Sequence, residues 1–265
     1  MQHRGPTWPI EVQAQKGRLR LVDDRLVDNP RLFAAAIARA LDGIAVDSPG
    51  LSGFASSDFD PFLNHIFAVQ GTEPSQAVES LAGKPGFVWL AEAPTPGEVN
   101  SLGTLAVMHG MTARTSPSTS RARDTAEIVE VRSHADLDDW HAVYSEVFGA
   151  DRRSRADWRR VHDALGPAGD GSLLLLLARL DGTAVATGGV FFEHDLAGLY
   201  CFTTLERARG RGLASALIEA CHAAARGRGI HDALLQATKA GLSVYARAGY
   251  SEERLLPVLR VPPAD

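Results

Sequence analysis

Lysine is nearly missing from this chain. It stands only at Lys16, Lys84 and Lys239, and arginine supplies the other basic residues. With 27 basic and 32 acidic side chains the formal net charge is −5. That balance gives no electrostatic reason to expect nucleic acid or an anionic membrane as a partner. Cysteine is scarcer still: Cys201 and Cys221 belong to no CxxC. A disulfide framework or zinc site is therefore not expected, no other metal is called for, and both cysteines read as small buried hydrophobes. The longest aliphatic run, Leu173 to Leu177, is far too short to cross a bilayer, and Met1 to Pro6 is no signal peptide. The expected location is the cytoplasm. A Walker loop is absent as well, because the single Gly-Lys, Gly83-Lys84, runs into Pro85.

What remains is ordinary in bulk and particular in one place. Apolar residues make up 45% and charged residues 22% of 265, enough for a sizeable core in one large or two small domains. The particular place is Leu199 to Leu217, LYCFTTLERARGRGLASAL. Its first six residues suit a buried strand. Leu213, Leu217, Ala220, Cys221 and Ala224 fall on one helical face. Between them lies a turn with Arg207, Arg209, Gly210, Arg211 and Gly212. A strand that ends at such a turn and opens straight into a helix offers unpaired amides and a favourable dipole to an anion. This predicts a phosphate cradle.

The turn resembles motif A of the GNAT acyltransferase superfamily, (Q/R)-x-x-G-x-(G/A). Arg209-Gly210-Arg211-Gly212-Leu213-Ala214 meets it, and so does an overlapping register from Arg207 to Gly212. The first is preferred, since it places Phe202, Thr203 and Thr204 on the strand edge facing a pantetheine arm. Downstream, Asp232 to Thr238 reads as a strand and Ala240 to Ala248 as a short helix. Tyr245-x-x-x-Gly249-Tyr250 is similar to the signature that closes the GNAT core. The resemblance covers roughly residues 126 to 262. It implies an α/β (α+β) fold with a mixed central sheet flanked by helices.

Further upstream, Asp28-Asn29-Pro30 suggests a helix start, with Phe33, Ile37, Ala40 and Leu41 on one face. Residues 48–60 read as loop, Phe62 to Val69 as a strand, Ser75 to Leu81 as a helix and Phe87 to Ala91 as a strand. Glu98 to His109 reads as a helix, and Thr112 to Asp124 as a linker. This order parallels the C-terminal half, with Gly110-Met111 matched to Gly249-Tyr250 and Ala106 to Tyr245. The expected layout is a tandem pseudo-repeat found in some bacterial GNAT proteins: a degenerate GNAT-like domain at 1–120 and a CoA-binding catalytic domain at 126–265. In the first half Thr72-Glu73-Pro74-Ser75-Gln76 replaces the cradle, and its acid and proline would not hold pyrophosphate. Beyond 126, Ser133-x-x-Asp136 resembles a capping box, and Asp181-Gly182 signals a hairpin.

The resemblance implies an N-acetyltransferase that moves the acetyl group of acetyl-CoA onto an amine of a small molecule. Backbone of Phe202, Thr203 and Thr204 would hold the pantetheine arm. Amides from Arg209 to Ala214, with the guanidinium groups of Arg209 and Arg211, would hold the phosphates. Thr238 stands where many members carry an asparagine on the arm, and Glu206 where many carry proline. Tyr245, protonated at neutral pH, would serve as general acid. Transfer to a protein amine, another acyl-CoA, or a non-catalytic CoA-binding module are the alternatives. A homodimer is left open.

Overall fold

The computed structural model describes residues 25–94, 101–116 and 126–263. The LRLVDD stretch, read as a strand, lies outside them. Eleven strands form one mixed sheet in the order β1-β2-β3-β4-β11-β5-β10-β9-β8-β7-β6. The first half supplies β1 (Ile44–Ser48), β2 (Leu51–Ala55), β3 (Asn64–Ala68), β4 (Gly86–Leu90) and β5 (Thr104–Arg114). The second supplies β6 (Ala126–Glu130), β7 (Leu173–Leu180), β8 (Thr183–Glu193), β9 (Leu196–Thr204), β10 (Asp232–Ala237) and β11 (Ser251–Val261). In both halves one parallel pairing joins two strands, β3 with β4 and β9 with β10.

The last strands are exchanged. β5 leaves its own half to pair antiparallel with β10, and β11 returns to pair antiparallel with β4. The two then pair with each other along eleven-residue strands. Neither half completes its sheet alone.

Helices cover both faces. On the front lie α1 (Arg25–Leu41), α3 (His134–Phe148) and α4 (Arg155–Leu165); on the back lie α2 (Pro74–Glu79), α5 (Leu213–Gly227) and α6 (Leu242–Arg247). The period-2 alternation of strands separates the two cores. Leu173, Leu175 and Leu177 of β7 join Trp140, Tyr144 and Trp158 in front, while Leu174, Leu176 and Ala178 join Leu217 and Cys221 of α5 behind. Ser133 caps α3 by accepting the amide of Asp136, as its spacing predicts. Asp181 and Gly182 turn the β7–β8 hairpin with φ of 48° and 76°, the left-handed pair such a two-residue turn requires.

Several upstream expectations fail. Residues 48–60 are loop only at 56–60: Leu51–Ala55 is strand, and Pro49-Gly50 turns the β1–β2 hairpin, with Gly50 at φ 86°, the Pro-Gly arrangement of a type II turn. α1 begins at Arg25, so Pro30 lies inside the helix. Residues 104–109 are strand, and so are Thr112 to Arg114 of the supposed linker. Pairing with β10 on one side and β11 on the other overrides the helical spacing of this stretch. Gly110 therefore sits mid-strand beside Gln236 and Arg254, and its match to Gly249, like that of Ala106 to Tyr245, does not hold. No helix among the described residues is long and apolar enough to cross a membrane.

Candidate active site

β9 and β10 run together only as far as the Leu199–Leu235 rung. Beyond it the strands part. The cause is a bulge in β9: the ladder to β8 slips between Tyr200 and Thr203, and Cys201 takes φ 59°. A left-handed cysteine is strained by about 1–2 kcal/mol. The Thr187 hydroxyl steadies it by donating to the Cys201 carbonyl at 2.7 Å. Thr203 and Leu205 keep facing β8, opposite Thr187 and Val185. By alternation the N–H and C=O of Thr204 point the other way, into the open splay. There the Thr204 carbonyl accepts from Arg209 Nε at 3.3 Å, so that side chain must move before another donor can use it.

The splay leads to the turn. Residues 206–208 form a short 3-10 segment, and the Arg209 amide is already spent on the Glu206 carbonyl at 3.2 Å. Gly210 and Gly212 follow with φ of 75° and 80°. Gly212 caps α5 with no side-chain bond, and the first helical bond runs from Ala216 N to Gly212 O at 3.1 Å. The amides from Gly210 to Ser215 thus precede any internal partner. A Cβ built at Gly210 or Gly212 meets nothing within 4 Å. Open space, uncapped amides and a helix dipole fit a diphosphate. Of the arginines, Arg207 is engaged by Glu146 at 3.4 Å, whereas Arg209 and Arg211 are exposed. Leu213 is buried as the first core residue of α5, and Ala214 is half-buried. A depression of about 260 Å³ beside the turn is lined by Asp139, Glu146, Arg179 and Arg207 among others, and no residue of β10 lines it.

Across the splay, half-buried Thr238 follows the last residue of β10, and its carbonyl accepts the amide of Gly241 at 2.9 Å. Tyr245, half-buried on α6, meets the Phe202 ring edge-on at 6.2 Å and the Tyr250 ring at 6.0 Å. Burial raises its pKa above the usual phenol value, so it is protonated throughout the neutral range. No hydrogen bond among the described residues engages its hydroxyl. Tyr250 is fixed from behind by His222 Nε2 at 2.8 Å. Phe202, Thr204, the turn from Arg209 to Gly212, Thr238 and Tyr245 therefore flank one splay, while Thr203 faces β8 and Leu213 lies in the core. The short helix α2, begun by Pro74 with an uncapped Glu73, stands where the other half has α5. Among the described residues no group of three or more His, Cys, Asp or Glu could hold a metal.

Sequence reasoning missed what lies in front of the splay. There α1 brings Leu26 and Asn29 against β9 and β10. Asp60, fully buried, accepts from Trp158 Nε1 at 2.8 Å, the Phe62 amide at 2.9 Å and the Tyr144 hydroxyl at 3.1 Å. Burial raises its pKa to about 6 despite those three donors. Only the Asn29-Pro30 pair, unusual inside a helix, signalled any of this.

Residues 136–250 match the acetyltransferase (GNAT) family. Solved structures extend the likeness over nearly the whole chain. A GNAT-family protein of Novosphingobium aromaticivorans is 20% identical, with 91% of this chain and 100% of that one covered at a TM-score of 0.61. A GCN5-related N-acetyltransferase from Kribbella flavida is 17% identical, covering 89% and 96% at 0.59. A GCN5-related N-acetyltransferase-like protein of Streptococcus suis is 15% identical, covering 90% and 99% at 0.58. At these identities the likeness is one of fold. Among curated proteins none matches.

Proposed function

We propose, from the match of residues 136–250 to the acetyltransferase (GNAT) family, that this protein transfers the acetyl group of acetyl-CoA to the amine of a small molecule. The supporting observation is the continuity of the splay with the uncapped start of α5. Amides of Gly210 to Ala214 bind the pyrophosphate, and Arg209 and Arg211 add charge. Arg209 releases the Thr204 carbonyl as it turns to the phosphates. The free edge of β9, Phe202 and Thr204 on either side of Thr203, then takes the pantetheine arm as an added strand, with Thr238 facing it from just beyond β10. Held this way, the thioester meets the amine in one orientation, which removes much of the entropic barrier. Tyr245 gives its phenolic proton to the departing thiolate. The residues at 1–120 form a degenerate half that binds no CoA of its own.

Calorimetry with CoA, paired with thiol release from acetyl-CoA across a panel of amines, tests this reading. One CoA per chain and amine-dependent thiol release are expected. Two CoA per chain would refute the degenerate half. Binding without release by any amine would leave a CoA-binding module instead of an enzyme.

A further inference from the structure

The first two turns of α1 come from the N-terminal half, yet they lie on the front of β9 and β10. Pro30 has no N–H, so the Leu26 carbonyl four residues back loses its helical donor. Gln236 Nε2 on β10 replaces that donor at 3.0 Å. Asn29, beside Pro30, is 1% exposed. Its Oδ1 accepts from the Tyr200 hydroxyl at 2.6 Å. It also presses on Gly198 so closely that a Cβ there would come within 1.9 Å of Oδ1. Gly198 and Tyr200 flank Leu199, and Gln236 follows Leu235; that rung is the last before the strands part. Asn29 is thus held at the apex of the splay. Because the tyrosine hydroxyl donates, the carboxamide oxygen is turned to Tyr200 and the nitrogen faces elsewhere. Nδ2 is buried and has no hydrogen-bond partner among the described residues.

An orphaned buried donor costs about 1–3 kcal/mol, and asparagine is a poor helix interior residue. An apolar side chain would avoid both penalties but would strand the buried Tyr200 hydroxyl, so the oxygen of Asn29 is accounted for and its nitrogen is not. Such a group calls for an explanation, and its place supplies one. From Thr204 to Tyr200 the strand runs about 13 Å, so an arm anchored at the turn and laid along β9 delivers its thioester to the apex.

Resting on the acyl-CoA reading of the splay, we propose that Asn29 is a catalytic residue: its Nδ2 donates to the carbonyl oxygen of the bound thioester. The amine nitrogen attacks the carbonyl carbon, a C–N bond forms, and the π electrons move to the oxygen held by Asn29. On collapse the C–S bond breaks, the thiolate takes the proton of Tyr245, and the ammonium proton returns through water to the Tyr245 phenolate. The interaction strengthens as charge develops on oxygen. The half without a cradle thereby supplies part of the reacting centre.

Two measurements test this. Asn29→Asp keeps the shape and the bond from Tyr200 but replaces the donor with an acceptor. Amine-dependent thiol release should fall by about 100-fold or more, with the dissociation constant of CoA within about three-fold of the parent. Unchanged turnover per folded molecule, with only a lower Tm, would overturn the assignment. Should that variant not fold, the parent suffices: the side-chain amide resonance of Asn29 should shift with acetyl-CoA and not with CoA. CoA binding without that acetyl-dependent shift defeats the Asn29 assignment alone. Failure of both ligands to bind defeats the acyl-CoA reading and this assignment with it.

Discussion

Gly212 combines a left-handed φ with open space around its missing Cβ. Gly212→Asp therefore costs backbone strain of about 1–2 kcal/mol but no packing, and it sets a carboxylate among the free amides. Loss of measurable CoA binding by calorimetry, with a cooperative melt retained, is the expected result. At Tyr245 the ring packs and the hydroxyl has no partner among the described residues, so Tyr245→Phe should leave CoA affinity within a few-fold. Its kcat and kcat/KM should both drop by about 100-fold if the phenol protonates the thiolate; an unchanged kcat where chemistry limits the rate would retire it. Asp60 gives a pH prediction. Its carboxyl pKa is higher folded, about 6, than unfolded, 3.8, so the folded protein takes up this proton first as pH falls. That uptake stabilises the fold by about 2 kcal/mol between pH 6 and pH 4, and by about 3 kcal/mol only once the pH is well below both values. Buried His65 and His141, both lowered to about 4, act oppositely, because the unfolded chain protonates them first. Their effect is common to parent and variant and cancels in the difference. The stability of Asp60→Asn relative to the parent should thus decline by about 2 kcal/mol from pH 7 to pH 4, as read by urea denaturation.

Elements were legible where their pattern is local. The β7–β8 hairpin, α3 with its cap, and the run of β9, turn, α5, β10 and α6 all carry their signals within a few residues. β5 does not, because its strand character comes from partners more than a hundred positions away. The β1–β2 hairpin did have a local signal in Pro49-Gly50, hidden by the Ser- and Gly-rich stretch around it. The bulge at Cys201 and the docking of α1 were illegible for the same reason as β5: each depends on what another element presents. Of the candidate site, the turn and Tyr245 could be read from spacing. The front wall could not, since Asn29 and Asp60 belong to the other half. The α1 contact yields its own prediction. Gln236→Leu leaves the Leu26 carbonyl bare and should cost about 1–3 kcal/mol. Adding Pro30→Ala restores a helical N–H to that carbonyl, so the double variant should recover much of the loss in a double-mutant cycle. Strict additivity would show that the bond contributes nothing.

At the scale of the whole molecule the exchanged strands decide what can stand alone. A fragment of 126–265 keeps the turn, α5 and α6 but lacks β5, leaving β10 and β11 with an unfilled gap between them. It should self-associate or remain unfolded, as judged by size-exclusion chromatography and the dispersion of its amide spectrum; a monomeric, well-dispersed fragment would show otherwise. The same exchange bears on biosynthesis. Glu252 of β11 follows its contact His109 of β5 by 143 residues, roughly 7–30 s of translation at typical rates. Until then β4 and β5 emerge as unpatched edges flanked by apolar side chains, open to pairing with any neighbouring nascent chain. The middle of the sheet is thus the last part to be filled, and yield in the cell depends on shielding two sticky edges until β11 arrives.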